Sequence, residues 1–145
     1  MKVYPALITI AIFLPLPVYA QLEEGHPAAS NVPGAKYPYI HRDGRVTFRI
    51  KAPEAKRVQV VGRSGKNVLS KQPIDLIRGE EGVWKVTTSP VPPGFHYYQL
   101  IIDGTPVNDP SSLTYFGWGQ ASSGLEVPDT KLDFYEAKPV PHGIT

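Results

Sequence analysis

The segment RVTFRIK, at residues 45–51, alternates strictly between polar and apolar side chains. Because successive side chains of a β-strand point to opposite faces, Val46, Phe48 and Ile50 would share one face of a strand. The other face would carry cationic side chains. The segment therefore predicts a half-buried strand with a cationic outer surface.

Further short segments of the same kind follow, separated by turn signals about every 8 to 12 residues. Asp103-Gly104 is a strong turn pair, and the Pro-rich segment 89–94 predicts a hairpin that joins the strands before and after it. In the chain after residue 20, no window of about 11 residues keeps the helical period. The pattern predicts an all-β chain folded as an immunoglobulin-like antiparallel β-sandwich. The strands are expected at residues 45–51, 57–62, 67–70, 82–88, 95–102 and 125–127.

The ends of the chain differ in composition from this alternating part. Residues 1–20 combine Lys2, an apolar run and the sequence Val-Tyr-Ala, which is typical of a signal peptide cleaved before Gln21. The alternative is a membrane anchor, but two prolines interrupt the run, which is shorter than the roughly 20 apolar residues needed to cross a bilayer. We expect a flexible leader over residues 21–38, a folded domain over residues 39–128 and a linker over residues 129–145. The location would be secreted or periplasmic.

The composition argues against several classes of partner and site. Lys and Arg number 15 against 13 Asp and Glu, so a formal net charge of +2 predicts no binding to nucleic acid, and no membrane contact once the signal is removed. Cysteine is absent. The four histidines lack metal-ligand spacing, so we expect neither a metal nor a cofactor. No Gly-x-Ser-x-Gly motif occurs, and we expect no catalytic residues in this chain.

Three motifs occur in an order that resembles a known family. They are DGRVTFRIKAPEAKRVQVVG at residues 43–62, GVWKVTTSPVPPGFHYYQLIIDG at residues 82–104 and VNDPSS at residues 107–112. Together they resemble the isoamylase-type N-terminal domain, also known as carbohydrate-binding module family 48. The resemblance covers about residues 39–128 and implies an early-set immunoglobulin-like sandwich.

A narrower resemblance lies in FGWGQASSGLEVPDTKLDFYEAKPVPHG, residues 116–143. It looks like the junction in bacterial feruloyl and acetylxylan esterases where this module leads into an α/β-hydrolase domain. The resemblance implies a non-catalytic N-terminal module of an exported polysaccharide-degrading esterase, with the catalytic groups beyond Thr145. The implied partners are a plant cell-wall polysaccharide of the xylan type or an α-glucan, and the α/β-hydrolase esterase domain.

The glycan-binding residues of the family are replaced in this chain. The resemblance places Gln99 where binding members have a lysine, and Pro106 where they have a tryptophan. Sugar rings stack on aromatic faces while their hydroxyls bind polar groups, so the remaining candidates are aromatic and amide side chains. The candidate residues for carbohydrate binding or docking are Trp118, Tyr115, Phe116, Gln99 and Asn108.

Two roles remain open for the aromatic segment 115–118. It could contact sugar directly, or it could be an edge that docks on a partner domain, because Gly117 and Gly119 permit close approach of another backbone. Two alternatives for the whole chain also stay open. One is a stand-alone secreted glycan-binding protein, and the other is a structural interaction domain.

Overall fold

The computed structural model describes residues 24–63, 69–117 and 119–129. Within these residues, eleven strands form two antiparallel sheets, and a single 3-10 turn at Glu80–Gly82 is the one helical element. The predicted all-β class with two antiparallel sheets is therefore confirmed. The predicted signal peptide lies outside the described residues, as does most of the predicted linker and part of the predicted strand at 67–70.

The first sheet contains five strands in the order β1-β2-β3-β7-β6. Its central strand is the segment that predicted the fold, and Val46 and Phe48 of this strand are fully buried, as predicted. The outer face carries the cationic side chains expected from the alternation. The strands are β1 (Gly25–Pro27), β2 (Tyr39–His41), β3 (Val46–Lys51), β6 (Ile77–Arg78) and β7 (Val83–Thr87).

The second sheet follows the order β10-β11-β8-β4-β5, and β9 also pairs with β8. The inner faces of the two sheets meet in one core, where the Phe48 and Tyr98 ring centroids lie 5.1 Å apart at a 63° interplanar angle. This edge-to-face arrangement is favourable for aromatic rings. The strands are β4 (Val58–Gly62), β5 (Ile74–Asp75), β8 (Gly94–Ile102), β9 (Thr105–Val107), β10 (Thr114–Gly117) and β11 (Gln120–Val127).

The turn at Asp103-Gly104 joins β8 and β9 as the sequence predicts. Both residues have positive φ angles, 49° and 88°, which a two-residue hairpin turn of this type requires. The Asp103 Oδ1 atom also accepts hydrogen bonds from the backbone N–H groups of Lys56 and Arg57, at 2.9 and 2.8 Å. The turn is thereby tied to the residues that lead into β4.

The predicted hairpin around residues 89–94 is wrong. Strand β7 pairs with β3 and β6 in the first sheet, whereas β8 pairs with β4, β9 and β11 in the second. The connection therefore crosses between the sheets, and Val91 is buried on the way while its N–H donates to the Gly44 carbonyl at 2.9 Å. Prolines 90, 92 and 93 lack the N–H groups that a hairpin ladder would need.

The folded part begins before Tyr39, so the predicted flexible leader is wrong for residues 24–38. Strand β1 pairs with β2, and Ala28 and Ser30 are buried. The Ser30 hydroxyl donates to the Gly124 carbonyl at 2.7 Å. Contacts with residues distant in the chain hold residues 24–38 in place. Such contacts do not need a local alternation of apolar side chains, so the local sequence does not reveal them.

Candidate functional site

The outer face of the second sheet carries a group of aromatic side chains. Phe95, Tyr97 and Gln99 alternate along β8 with His96, Tyr98 and Leu100, so their side chains lie on the face opposite the core. The Phe95 ring centroid lies 5.1 Å from that of Tyr97 and 4.9 Å from that of Tyr115 on β10. We call Phe95, Tyr97, Gln99 and Tyr115 the aromatic face.

Two glycines position these rings. A Cβ atom added to Gly124 would lie 2.5 Å from Tyr115 Cε2 and 2.6 Å from Phe95 Cζ, and one added to Gly117 would lie 2.5 Å from Tyr97 Cζ. The rings therefore pack directly on the backbone of β10 and β11, where a larger side chain would displace them. The closest approach at Gly117 is made by the Tyr97 side chain rather than by another backbone.

Amide groups adjoin the aromatic rings on the same face. The Gln99 Nε2 atom lies 3.4 Å from Asn108 Oδ1 and 3.4 Å from the Ala121 carbonyl. Both contacts are long for hydrogen bonds, so the Gln99 amide is held loosely. Gln99 itself is buried and Asn108 is half-buried. The structure thus brings together Gln99 and Asn108, which the sequence had named separately.

Two of the predicted aromatic residues, Tyr115 and Phe116, lie on opposite faces of β10. Tyr115 is half-buried and joins the aromatic face, whereas Phe116, its neighbour in β10, points the other way and is 79% exposed. Trp118 lies outside the described residues. Strand β10 is at the edge of its sheet and pairs with β11. This strand pair therefore presents a strand edge in addition to the outer face of the sheet.

A buried hydrogen-bond network supports the loop that carries Asn108. The Tyr98 hydroxyl donates to Asp109 Oδ2 at 2.8 Å, the Asp109 N–H donates to Ser123 Oγ at 2.7 Å, and the Ser111 N–H donates to Asp109 Oδ1 at 2.8 Å. Burial raises the pKa of the Asp109 carboxyl, although its hydrogen bonds with Ser111 and Tyr98 oppose the rise. Burial likewise raises the pKa of Tyr98 well above its usual value.

Sequence reasoning missed Phe95 and Tyr97. The signal was present, because alternation along β8 places Phe95 and Tyr97 on the face opposite the buried His96 and Tyr98. The alternation of β8 could not reveal that Tyr115, which lies on a separate strand, contacts the same cluster.

No protein-family model matches the chain. A relative in Xylanibacter ruminicola is 42% identical. This protein, named endo-1,4-beta-xylanase/feruloyl esterase, aligns over 126 residues that cover 83% of this chain and 16% of the relative. The chain thus matches only a small part of the length of this relative.

Some solved structures of larger enzymes resemble part of the chain. Pullulanase type I from Bacillus subtilis complexed with maltose is 20% identical, over 62% of this chain and 13% of that chain, with a TM-score of 0.49. The catalytic module of the glycogen-degrading pneumococcal virulence factor SpuA is 23% identical, over 61% and 16%, with a TM-score of 0.48. With TM-scores below 0.5, these likenesses do not define the function of the chain.

A membrane-spanning helix and a metal site are both absent from the part of the chain that the structure describes. No helix there is long and apolar enough to span a membrane. No group of three or more His, Cys, Asp or Glu side chains is placed to hold a metal ion among residues 24–63, 69–117 and 119–129.

Proposed function

We propose that the chain is a non-catalytic carbohydrate-binding module of an exported polysaccharide-degrading esterase. The observation that carries the proposal is the aromatic face, where three rings lie on the same face as Gln99, whose amide contacts that of Asn108. The relative with xylanase and feruloyl esterase activities in its name supports the same direction. The module would place the polysaccharide for a hydrolase domain that follows it.

The chemistry of the aromatic face suits a sugar chain. The C–H groups of a sugar ring pack against aromatic surfaces, while its hydroxyls exchange hydrogen bonds with amides. Phe95 is 42% exposed, so its ring is open to such contact. The loosely held Gln99 amide could exchange its long contacts for shorter ones to a hydroxyl group.

The proposal includes the type and location of the module. The motif order suggests an early-set immunoglobulin-like domain of carbohydrate-binding module family 48, with Gln99 at the position of the family's usual lysine and Asn108 as a second polar contact. The apolar N-terminal segment suggests a signal peptide and a secreted or periplasmic location. The polysaccharide would be of the xylan type or an α-glucan.

A second candidate function is docking on a partner domain. Phe116 is 79% exposed and Leu113 is 43% exposed, and both lie at or beside the edge strand β10. Exposed apolar side chains beside an unpaired strand edge are typical of interaction sites. A structural interaction domain would use this edge, together with Trp118, and would not need the aromatic face.

Affinity electrophoresis of the purified chain in xylan, starch and β-glucan gels tests the proposal. We expect retardation in at least one gel, which Tyr97→Ala reduces at least about fivefold because about 1 kcal/mol of aromatic contact is lost. Phe116→Ala is the matched control and should leave retardation unchanged. Unchanged mobility in all three gels would contradict carbohydrate binding, and loss of retardation in Phe116→Ala alone would move the site to the docking edge.

A further inference from the structure

The outer face of the first sheet, on the opposite side of the sandwich from the aromatic face, carries three exposed cations. Arg49 of β3 and Lys85 of β7 are direct cross-strand partners, and Lys51 lies on the same face of β3. We call Arg49, Lys51 and Lys85 the cationic patch. Like charges directly opposite each other destabilise a sheet, so the pair at its centre disfavours the folded state.

Within the described residues, no member of the cationic patch forms an ion pair. The ion pairs found there join Arg42 to Glu24, Arg45 to Asp43 and Arg57 to Asp75, and none includes a member of the cationic patch. The Arg49 guanidinium instead lies 5.7 Å from the Tyr37 ring centroid. A guanidinium over an aromatic ring is held in position while its N–H groups stay available at its edge.

The patch borders a shallow depression of about 830 Å³, a size within the range of small-molecule sites. Its lining includes the cations Arg49 and Lys85, the carboxylates of Glu80 and Glu81, and the exposed Ile77, which is the cross-strand partner of Lys85. The two carboxylates would repel a polymer that is anionic along its whole length. The depression therefore favours a ligand with an isolated negative charge on an otherwise neutral and partly apolar body.

We propose that the cationic patch binds the carboxylate of a uronic-acid branch on a largely neutral polysaccharide. Arg49 would pair with the carboxylate through two parallel hydrogen bonds, and Lys85 would add a point charge beside it. The sugar body would extend over Ile77. The choice of a polysaccharide rests on the proposed function, whereas the charge of its branch is inferred from the patch itself.

The test compares two xylans that differ in charge alone. One carries glucuronic acid branches, and the other is the same xylan after its carboxyl groups are reduced to alcohols. At low ionic strength, we expect the purified chain to bind the charged xylan about tenfold more tightly in affinity electrophoresis, because a charge-assisted contact is added. About 0.5 M salt should largely remove this difference.

Matched variants assign the effect to the patch. Lys85→Gln and Arg49→Gln should each remove most of the preference for the charged xylan, whereas Lys56→Gln, which removes an equal charge from an exposed position elsewhere, should keep it. Urea unfolding verifies that each variant is folded. Equal binding of wild type to both xylans would overturn this inference alone, and binding of neither would contradict the proposed function as well. Tighter binding to polygalacturonate than to the charged xylan would overturn the requirement for an isolated carboxylate.

Discussion

Replacing Tyr98 by Phe tests the buried network beneath the aromatic face. The substitution keeps the ring in the core and removes only the hydroxyl that donates to Asp109 Oδ2 at 2.8 Å. A hydrogen bond to a charged group contributes about 1.5 to 3 kcal/mol, and Tyr98 and Asp109 are both buried. We therefore expect Tyr98→Phe to lower the free energy of unfolding by about 2 kcal/mol at pH 7, which lowers the Tm by about 10 °C.

The loss should depend on pH in a defined direction. Burial raises the pKa of Asp109 in the folded state, so its ionisation costs stability as pH rises from the unfolded pKa through the folded pKa. The Tyr98 hydroxyl lowers that pKa, and Tyr98→Phe should raise it further. The variant should therefore lose more stability at pH 7 than near pH 4, where the folded carboxyl is more fully protonated and the lost bond is that of a neutral group, worth about 1 kcal/mol.

Urea unfolding followed by tryptophan fluorescence at pH 7 and near pH 4 measures both quantities. Tyr97→Phe, on the same strand but with its side chain on the outer face, is the control and should change stability by less than about 0.5 kcal/mol. A loss for Tyr98→Phe that is equal at the two pH values, or larger near pH 4, would refute the assignment of the network to an ionised Asp109.

Two further substitutions test the packing of the aromatic face and the β8–β9 turn. Gly124→Ala places a Cβ atom 2.5 Å from Tyr115 Cε2, so urea unfolding should show a free energy of unfolding lower by about 1 to 3 kcal/mol. Gly79→Ala is the control, because its closest contact is at 3.4 Å, and it should lose much less stability. Equal losses in the two variants would contradict the close packing at Gly124. Asp103→Ala removes the acceptor of two backbone N–H groups before β4 and should cost about 1 to 3 kcal/mol by thermal unfolding. Asp103→Asn retains an acceptor and should cost less, and the reverse order would argue against the side-chain bonds.

The candidate site was predictable only in part. Gln99 and Asn108 were named from their places in the motifs, and the structure brings their amides within 3.4 Å. Phe95 and Tyr97 could have been assigned to the outer face from the alternation of β8. The contact of Phe95 with Tyr115 could not be predicted, because β10 reaches the cluster only through its pairing with β11 and the pairing of β11 with β8.

The sequence by itself indicated strands β3, β4, β7 and β8 and the end of β11, and it indicated which side chains of β3 enter the core. Alternation is a property of neighbouring residues, so Val46 and Phe48 could be assigned to the buried face before any partner was known. Only the tertiary structure decided which strands pair. The segment after β7 enters the other sheet instead of forming a hairpin, because pairing depends on backbone hydrogen bonds and core contacts between residues far apart in the chain. For the same reason, alternation predicts cationic side chains on the outer face of β3, but only the assembled sheets bring Lys85 opposite Arg49 and Tyr115 beside Phe95.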